Sequence, residues 1–255
     1  MTTAVPLAAS LALTTVPALL VSAWIWRRLP ALLASEAALR LLRGLGPGQR
    51  PGGLVTFTLG AVGLVVAWLA GFIAPAALSG TWADAPILAA LGLLAGATGW
   101  LCWIDSSTRR LPNRIVLPLA GACLLLFAVS LVCGALVHAP PGAGWAGAAA
   151  PAVDGLLGAL LLLVFFAAVN IAGALAGRTG IGMGDVKLAL PVGLAACTAG
   201  LGGLLIALIA MNLSACCQLL TARLRRGPRR GAAIAYGPHM LVGAWAAVIL
   251  GPAVL

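Results

Sequence analysis

Two aspartates, Asp105 and Asp185, stand out because the chain has only five acidic residues and charged residues make up 8% of it. Each lies where a long apolar stretch meets a basic segment. Two carboxyl groups that share one proton can hydrolyse a peptide bond, since one takes a proton from water while the other donates to the carbonyl oxygen. Acids at the edge of an apolar span are a usual mark of function. The pair predicts an intramembrane protease.

The composition indicates an integral membrane protein. Hydrophobic residues make up 62% of the 255 positions and the mean hydropathy is +1.12, which is too apolar for the surface of a soluble globule. The uncharged region 188–222 is too long for one span and is interrupted by Gly200-Leu201-Gly202-Gly203, so we divide it into a shorter and a full helix. We predict an all-α polytopic transmembrane helix bundle of about eight spans, near residues 4–26, 54–75, 86–104, 115–137, 155–176, 188–199, 201–222 and 236–254.

The basic residues predict the orientation of this bundle. All fifteen Lys and Arg residues fall in the loops 27–53, 105–114, 177–187 and 223–235, on one side of the predicted membrane. By the positive-inside rule that side is cytoplasmic, which places both termini outside. We therefore expect a multi-pass protein of the plasma (inner) membrane with both aspartates near its cytoplasmic face. The net charge of +10 suits anionic lipid headgroups, and no nucleic-acid partner is expected.

The chain divides into two parts. Residues 1–85 are predicted to hold the N-terminal anchor spans with a short cytoplasmic loop that lacks cysteine, and residues 86–255 the catalytic membrane domain. The first segment has no basic residue before Arg27 and is interpreted as a retained anchor. Within the loop, residues 31–43 alternate leucines with charges and predict a helix on the membrane surface.

The sequence predicts no metal site and no other cofactor. It contains six cysteines but no C-x-x-C pair. It also contains no cluster of His, Cys and carboxylate residues with the spacing of metal ligands. The cysteines are interpreted as small apolar residues of the spans.

The remaining acids and His239 have simpler interpretations. Asp84 and Asp154 precede the third and fifth predicted spans and are expected to cap the starts of those helices. Glu36 belongs to the polar face of the predicted surface helix. His239 begins the last span and is expected to be an interfacial residue without a catalytic role.

The residues around Asp185 have open alternatives. Gly182 and Gly184, in Gly182-Met183-Gly184-Asp185, are expected to leave room for an extended substrate beside the acid, or else to belong to a flexible loop tip. Lys187 either stabilises Asp185 or anchors the span at the headgroups.

The sequence also does not assign the shared proton to one of the two acids. A helix start favours an ionised Asp185, and a helix end disfavours an ionised Asp105. Arg109 and Arg110 oppose the second argument. The sequence therefore leaves open which acid is ionised.

Three segments together resemble the prepilin peptidase (type IV leader peptidase) family. They are Asp105 with Leu111-Pro112-Asn113, then Gly182-Met183-Gly184-Asp185-Val186-Lys187-Leu188, then Tyr236-Gly237-Pro238-His239, in residues 86–255. The resemblance implies an aspartic endopeptidase whose catalytic acids are Asp105 and Asp185. It also implies prepilin or pseudopilin substrates, cut at the cytoplasmic face between a short basic leader and the hydrophobic helix that follows.

The chain departs from the bifunctional members of that family, which carry paired C-x-x-C motifs in an enlarged first cytoplasmic loop. The loop 27–53 contains no cysteine, so N-methyltransferase activity is not expected. The particular pilin and the oligomeric state stay open.

Two other classes of function stay open as alternatives. A presenilin-type protease carries Pro-Ala-Leu after its G-x-G-D acid, whereas Pro17-Ala18-Leu19 and Pro30-Ala31-Leu32 precede Asp185. A proton-coupled transporter that uses Asp105 and Asp185 as relays is expected to hold its acids near mid-membrane and to contain an internal repeat.

Overall fold

The computed structural model describes residues 5–33, 51–78, 81–136, 146–177, 182–226 and 234–254. Two short 3-10 turns, Ala74–Ala76 and Trp82–Asp84, precede the third helix. The expected all-α bundle is confirmed. Across the described ranges the chain forms α1 (Leu7–Leu33), α2 (Gly53–Ile73), α3 (Ala85–Thr108), α4 (Asn113–Leu136), α5 (Ala146–Leu175), α6 (Met183–Ala196), α7 (Gly202–Arg226) and α8 (Gly237–Val254).

Seven of the helices in the described ranges are long and apolar enough to cross a bilayer, and α6 is the exception. It has 14 residues, which corresponds to about 21 Å of helix against the ~30 Å of a hydrocarbon core. It also begins and ends earlier than the span predicted at 188–199. The expected eight spans are thus eight helices, of which seven reach full length.

The central element of the bundle is α3, which packs against α1, α2, α4 and α8. Glycines on its surface allow this close packing, since a Cβ on Gly96 would clash with the carbonyl of Ala18. Small residues are a common means of helix association in a bilayer. On another side, Trp245 Nε1 donates to Thr98 Oγ1 at 3.0 Å and joins α8 to α3. This buried helix carries Asp105 near its C-terminal end.

The helix boundaries correct several expectations. Asp154 lies inside α5 rather than before it, because the alanine-rich start extends this helix back to Ala146; its expected capping role was wrong. Asp84 does occupy the N-cap position of α3, but its side chain makes no capping hydrogen bond. The predicted surface helix at 31–43, with Glu36, lies largely outside the described residues, and α1 continues to Leu33.

Candidate active site

Asp105 lies in the last turn of α3, and 4% of its surface is exposed. The helix ends at Thr108 because Arg109 adopts a left-handed conformation (φ 54°), and its N–H donates to the Asp105 carbonyl. Thr108 Oγ1 then accepts from the Arg110 N–H at 3.2 Å, which turns the chain toward α4. A compact helix end therefore positions Asp105.

The carboxyl group of Asp105 has a main-chain partner at the start of α8. The N–H of Gly237 donates to Asp105 Oδ2 at 3.0 Å in a buried hydrogen bond. No side chain fits here, because a Cβ on Gly237 would lie 2.8 Å from the same oxygen. An N–H that donates to a carboxylate stabilises its charged form. The segment Tyr236-Gly237-Pro238-His239 thus contributes directly to the environment of Asp105.

Asp185 lies in the first turn of α6, and its N–H donates to the carbonyl of the N-cap residue Gly182 at 2.9 Å. Burial, together with the charge of Asp105, raises the pKa of Asp185 to about 7. A helix N-terminus favours an ionised acid, so burial and the neighbouring carboxyl group outweigh the helix dipole. The start of α6 also packs against the segment that follows Asp105, since a Cβ on Gly184 would lie 2.9 Å from Leu111 Cβ.

Leu111 packs where the two acid-bearing segments meet the start of α8. A Cβ on Gly184 would lie 2.9 Å from Leu111 Cβ, and one on Gly237 would lie 3.3 Å from Leu111 Cδ1. The expectation that Gly184 leaves room for a substrate was therefore wrong, because Leu111 fills that space. Gly182 is exposed, and a Cβ there would have Asp185 Oδ2 as its neighbour at 3.4 Å. The space around Gly182 is therefore more open than the space around Gly184.

These contacts bring two carboxyl groups from separate helices together, and we refer to Asp105 and Asp185 as the dyad. Asp105 is buried and Asp185 is partly exposed. Two adjacent acids share one proton over a range of pH, because ionising both is costly. Such a pair has the groups that general acid–base hydrolysis needs. In the part of the chain that the structure describes, no group of three or more His, Cys, Asp or Glu side chains is arranged as a metal site.

The family model of the type IV leader peptidase family matches residues 92–219, which include both acids of the dyad. The chain belongs to this family. It is a peptidase built within a membrane helix bundle. Comparison with curated proteins and with solved structures found no match. The family match ends before Gly237, so the hydrogen bond to Asp105 comes from outside the matched residues.

In the peptidase, Lys187 joins two helices beside the dyad. Its Nζ donates to Asn113 Oδ1 at 2.8 Å, which links the first turns of α6 and α4. This role was not among the two that the sequence left open. The bond gives Asn113 of Leu111-Pro112-Asn113 a structural role, because it holds the N-terminal turn of α6 against the segment that follows Asp105.

His239 positions the start of α8 in the peptidase. The ring is buried, with Nδ1 2.9 Å from Ser214 Oγ and Nε2 2.6 Å from Gln218 Oε1. Both partners lie on α7. The expectation of an interfacial histidine was wrong because this helix covers the ring. Two polar residues one turn apart in an apolar helix are the sequence signal from which the contact could have been found.

An apolar cavity of about 180 Å³ lies between α1, α3 and α4. Its lining contains neither acid of the dyad and no ionisable side chain; it is formed by Val21, Trp24, Leu93, Ala97, Ile115, Pro118, Leu119 and Ala122. Since peptide hydrolysis needs acid–base groups at the scissile bond, this cavity is not the catalytic site.

Proposed function

We propose that this peptidase is an aspartic endopeptidase that removes the short basic leader from prepilin or pseudopilin precursors. The observation that supports the proposal most directly is the convergence of Asp105 and Asp185. Burial and the charge of Asp105 raise the pKa of Asp185 to about 7, which suits a pair that works with one shared proton near neutral pH. Membership of the family supports cleavage of a leader.

In the proposed reaction, Asp105 is the base and Asp185 carries the shared proton. The Gly237 N–H stabilises an ionised Asp105, whereas the raised pKa of Asp185 favours its protonated form. This assignment differs from the one that helix termini alone favour. The difference arises from the hydrogen bond that Asp105 accepts from Gly237, which the helix positions do not reveal.

The dyad then acts as base and acid in turn. Asp105 takes a proton from the attacking water while Asp185 donates its proton to the carbonyl oxygen of the scissile bond. The tetrahedral intermediate collapses as Asp105 passes the proton to the leaving amine and Asp185 recovers its own from the hydroxyl group. The peptide C–N bond breaks, and both acids return to their starting states.

We place the reaction at the cytoplasmic face of the inner membrane. All fifteen basic residues of the sequence fall in the predicted loops, or the helix ends beside them, on the side predicted for the dyad. A prepilin presents its scissile bond between a basic leader and a hydrophobic helix, and a dyad at the end of membrane helices meets that junction. The loop 27–53 has no cysteine, so the proposal does not include N-methyltransferase activity.

Co-expression with pilin-like proteins from the same genome tests this proposal. The mobility and the amino-terminal sequence of each candidate are measured after expression with the wild-type chain or with the Asp185→Asn variant. We expect the wild-type chain, but not the variant, to shorten at least one candidate at the junction of leader and helix. If no candidate is shortened while the wild-type protein accumulates in the membrane, the proposed substrate class is wrong.

A further inference from the structure

The dyad is reached from the start of the short helix α6. Asp105 is 4% exposed, whereas Met183 at the start of α6 is 58% exposed, and Asp185 is partly exposed. A peptide therefore approaches the pair from the side of Asp185. Tyr236 contacts α5 and α7, and α5 contacts the start of α6. We call the region bordered by these contacts the α5–α7 opening and define it by its residues, Phe166, Asn170, Met183, Asn212 and Tyr236.

Tyr236 connects the two sides of the α5–α7 opening. Its ring packs against Phe166 of α5 with the ring centroids 5.9 Å apart. Its hydroxyl donates to Asn212 Oδ1 of α7 at 3.3 Å. Tyr236 directly precedes Gly237, whose N–H donates to Asp105 Oδ2 at 3.0 Å, and burial and the charge of Asp185 raise the pKa of Tyr236. The opening therefore leads directly to the proposed acid of the reaction.

Two asparagines lie on opposite sides of the opening, Asn170 on α5 and Asn212 on α7. Both belong to helices that are long and apolar enough to cross a bilayer. An amide that faces hydrocarbon is destabilising unless it is hydrogen-bonded. The two asparagines therefore form a polar position on each of two otherwise apolar helices.

The hydrogen bonds of these amides within the protein leave capacity for a ligand. Asn170 Nδ2 donates to the sulfur of Met183 at 3.4 Å, and a thioether is a weak acceptor. Asn212 Nδ2 donates to the Leu208 carbonyl of its own helix at 2.7 Å. Its Oδ1 accepts from Tyr236 over a distance that is long for an O–H donor. The Nδ2 of Asn170 and the Oδ1 of Asn212 can therefore exchange weak internal bonds for stronger ones.

We propose that Asn170 and Asn212 bind the main chain of the substrate beside the scissile bond and hold that segment extended across the α5–α7 opening. A hydrophobic helix that unwinds to present a peptide bond exposes N–H and C=O groups, and these need partners within the membrane. Asparagine supplies a donor and an acceptor in one side chain. The ligand is therefore an extended polypeptide backbone. This inference rests on the proposed endopeptidase function and names its substrate-binding site.

Steady-state kinetics of the purified full-length chain on a cleaved prepilin test this site. The variants are Asn170→Ala, Asn212→Ala and their combination. The matched controls are Val169→Ala and Leu213→Ala, which truncate exposed side chains next to each asparagine. We expect each asparagine variant to raise KM roughly 3- to 10-fold, with kcat within about twofold of wild type. The combined variant is expected to raise KM further, and the controls to keep the wild-type KM.

A photoreactive amino acid at position 183, in the Asp185→Asn background, provides a measurement that does not depend on turnover. We expect it to cross-link to prepilin residues next to the cleavage junction, and we expect the same group at position 213 to give no such product. An unchanged KM in the combined asparagine variant, or a loss confined to kcat, overturns the proposed site while wild-type cleavage leaves the endopeptidase function intact. Failure of the wild-type chain to cleave any prepilin overturns the function and this inference together.

Discussion

The N–H of Gly237 donates to Asp105 Oδ2 at 3.0 Å, joining residues that are 132 positions apart in the chain. This bond makes the start of α8 part of the surroundings of the dyad. The same start is attached to α7 through His239, which contacts Ser214 and Gln218. The packing of α8 on α7 therefore determines the position of the donor that favours an ionised Asp105.

Replacement of either acid of the dyad is expected to abolish cleavage. Asp105→Asn and Asp185→Asn keep the shape of the side chain but cannot cycle a proton, so we expect kcat to fall by roughly 10²- to 10⁴-fold. Leader cleavage is measured at matched membrane levels of each protein. Asp154→Asn, inside α5, serves as the control and should stay near wild type. Near-normal cleavage by either dyad variant excludes that acid from the mechanism.

The glycine at position 237 is expected to be essential for activity. Gly237→Ala places a Cβ 2.8 Å from Asp105 Oδ2, which displaces either the carboxyl group or the start of α8. A displacement of about 1 Å at a catalytic group can cost roughly 10²-fold in rate, and we expect a loss of that size in kcat. Gly121→Ala is the control, because a Cβ there meets nothing within 4 Å. Equal activity of both variants would contradict the assigned role of Gly237.

Two glycines beside Asp185 are expected to respond differently to the same change. Gly184→Ala brings a Cβ to 2.9 Å from Leu111 Cβ, whereas Gly182→Ala meets only Asp185 Oδ2 at 3.4 Å. Overpacking of this kind costs about 1–3 kcal/mol, so we expect Gly184→Ala to lower kcat/KM by roughly tenfold or more and to reduce thermal stability. Gly182→Ala should lie within a few-fold of wild type. If Gly182→Ala lowers kcat/KM more than Gly184→Ala does, the packing role of Leu111 is ruled out.

The rate is expected to depend on pH with a descending limb near neutrality. Because the pKa of Asp185 is raised to about 7, the dyad keeps its shared proton below this pH and loses it above. An ionised pair has no acid for the carbonyl oxygen, so kcat/KM should fall as pH rises through about 7. A second decline is expected in acid, where both carboxyl groups are protonated. The pH–rate profile of the purified enzyme checks this, and activity that keeps rising above neutrality contradicts it.

Reporter fusions are expected to place the dyad on the cytoplasmic side. The one-sided distribution of basic residues predicts a cytoplasmic signal after Arg50, Arg110 and Arg230. It predicts an outside signal at Thr81, at Gly144 and at the C-terminus. The fusion after Arg230 is the most informative, because α6 has only 14 residues. The start of α8 follows Arg230 closely and lies against Asp105, so an outside signal there together with a cytoplasmic signal after Arg110 contradicts the predicted topology.

The sequence by itself determined the class of the fold and the identity of the two acids. A chain with 62% hydrophobic residues and long uncharged stretches must satisfy its main-chain hydrogen bonds internally in lipid, which favours a helix bundle. Helix formation depends on neighbouring residues, so local patterns predicted where each helix lies, although not all of the helix boundaries. Asp105 and Asp185 were found because acids at the ends of apolar spans are rare and costly.

The local sequence pattern was less informative where a helix boundary depends on packing. The start of α5 could not be inferred from Asp154, because alanine-rich segments continue a helix through an acid that the pattern assigned to its cap. The length of α6 depends on its packing between α4, α5 and α8. A hydropathy pattern contains no information on such neighbours.

Only the tertiary structure revealed what surrounds the two acids. The Gly237 N–H at Asp105, the packing of Leu111 on Gly184, and the bond from Lys187 to Asn113 join segments far apart in the chain. The proposed position of the shared proton rests on the hydrogen bond to Asp105, and the helix termini alone favour the opposite assignment. The physical reason is that hydrogen bonds and desolvation act through space, so their effect on a carboxyl group is settled only when the helices have packed.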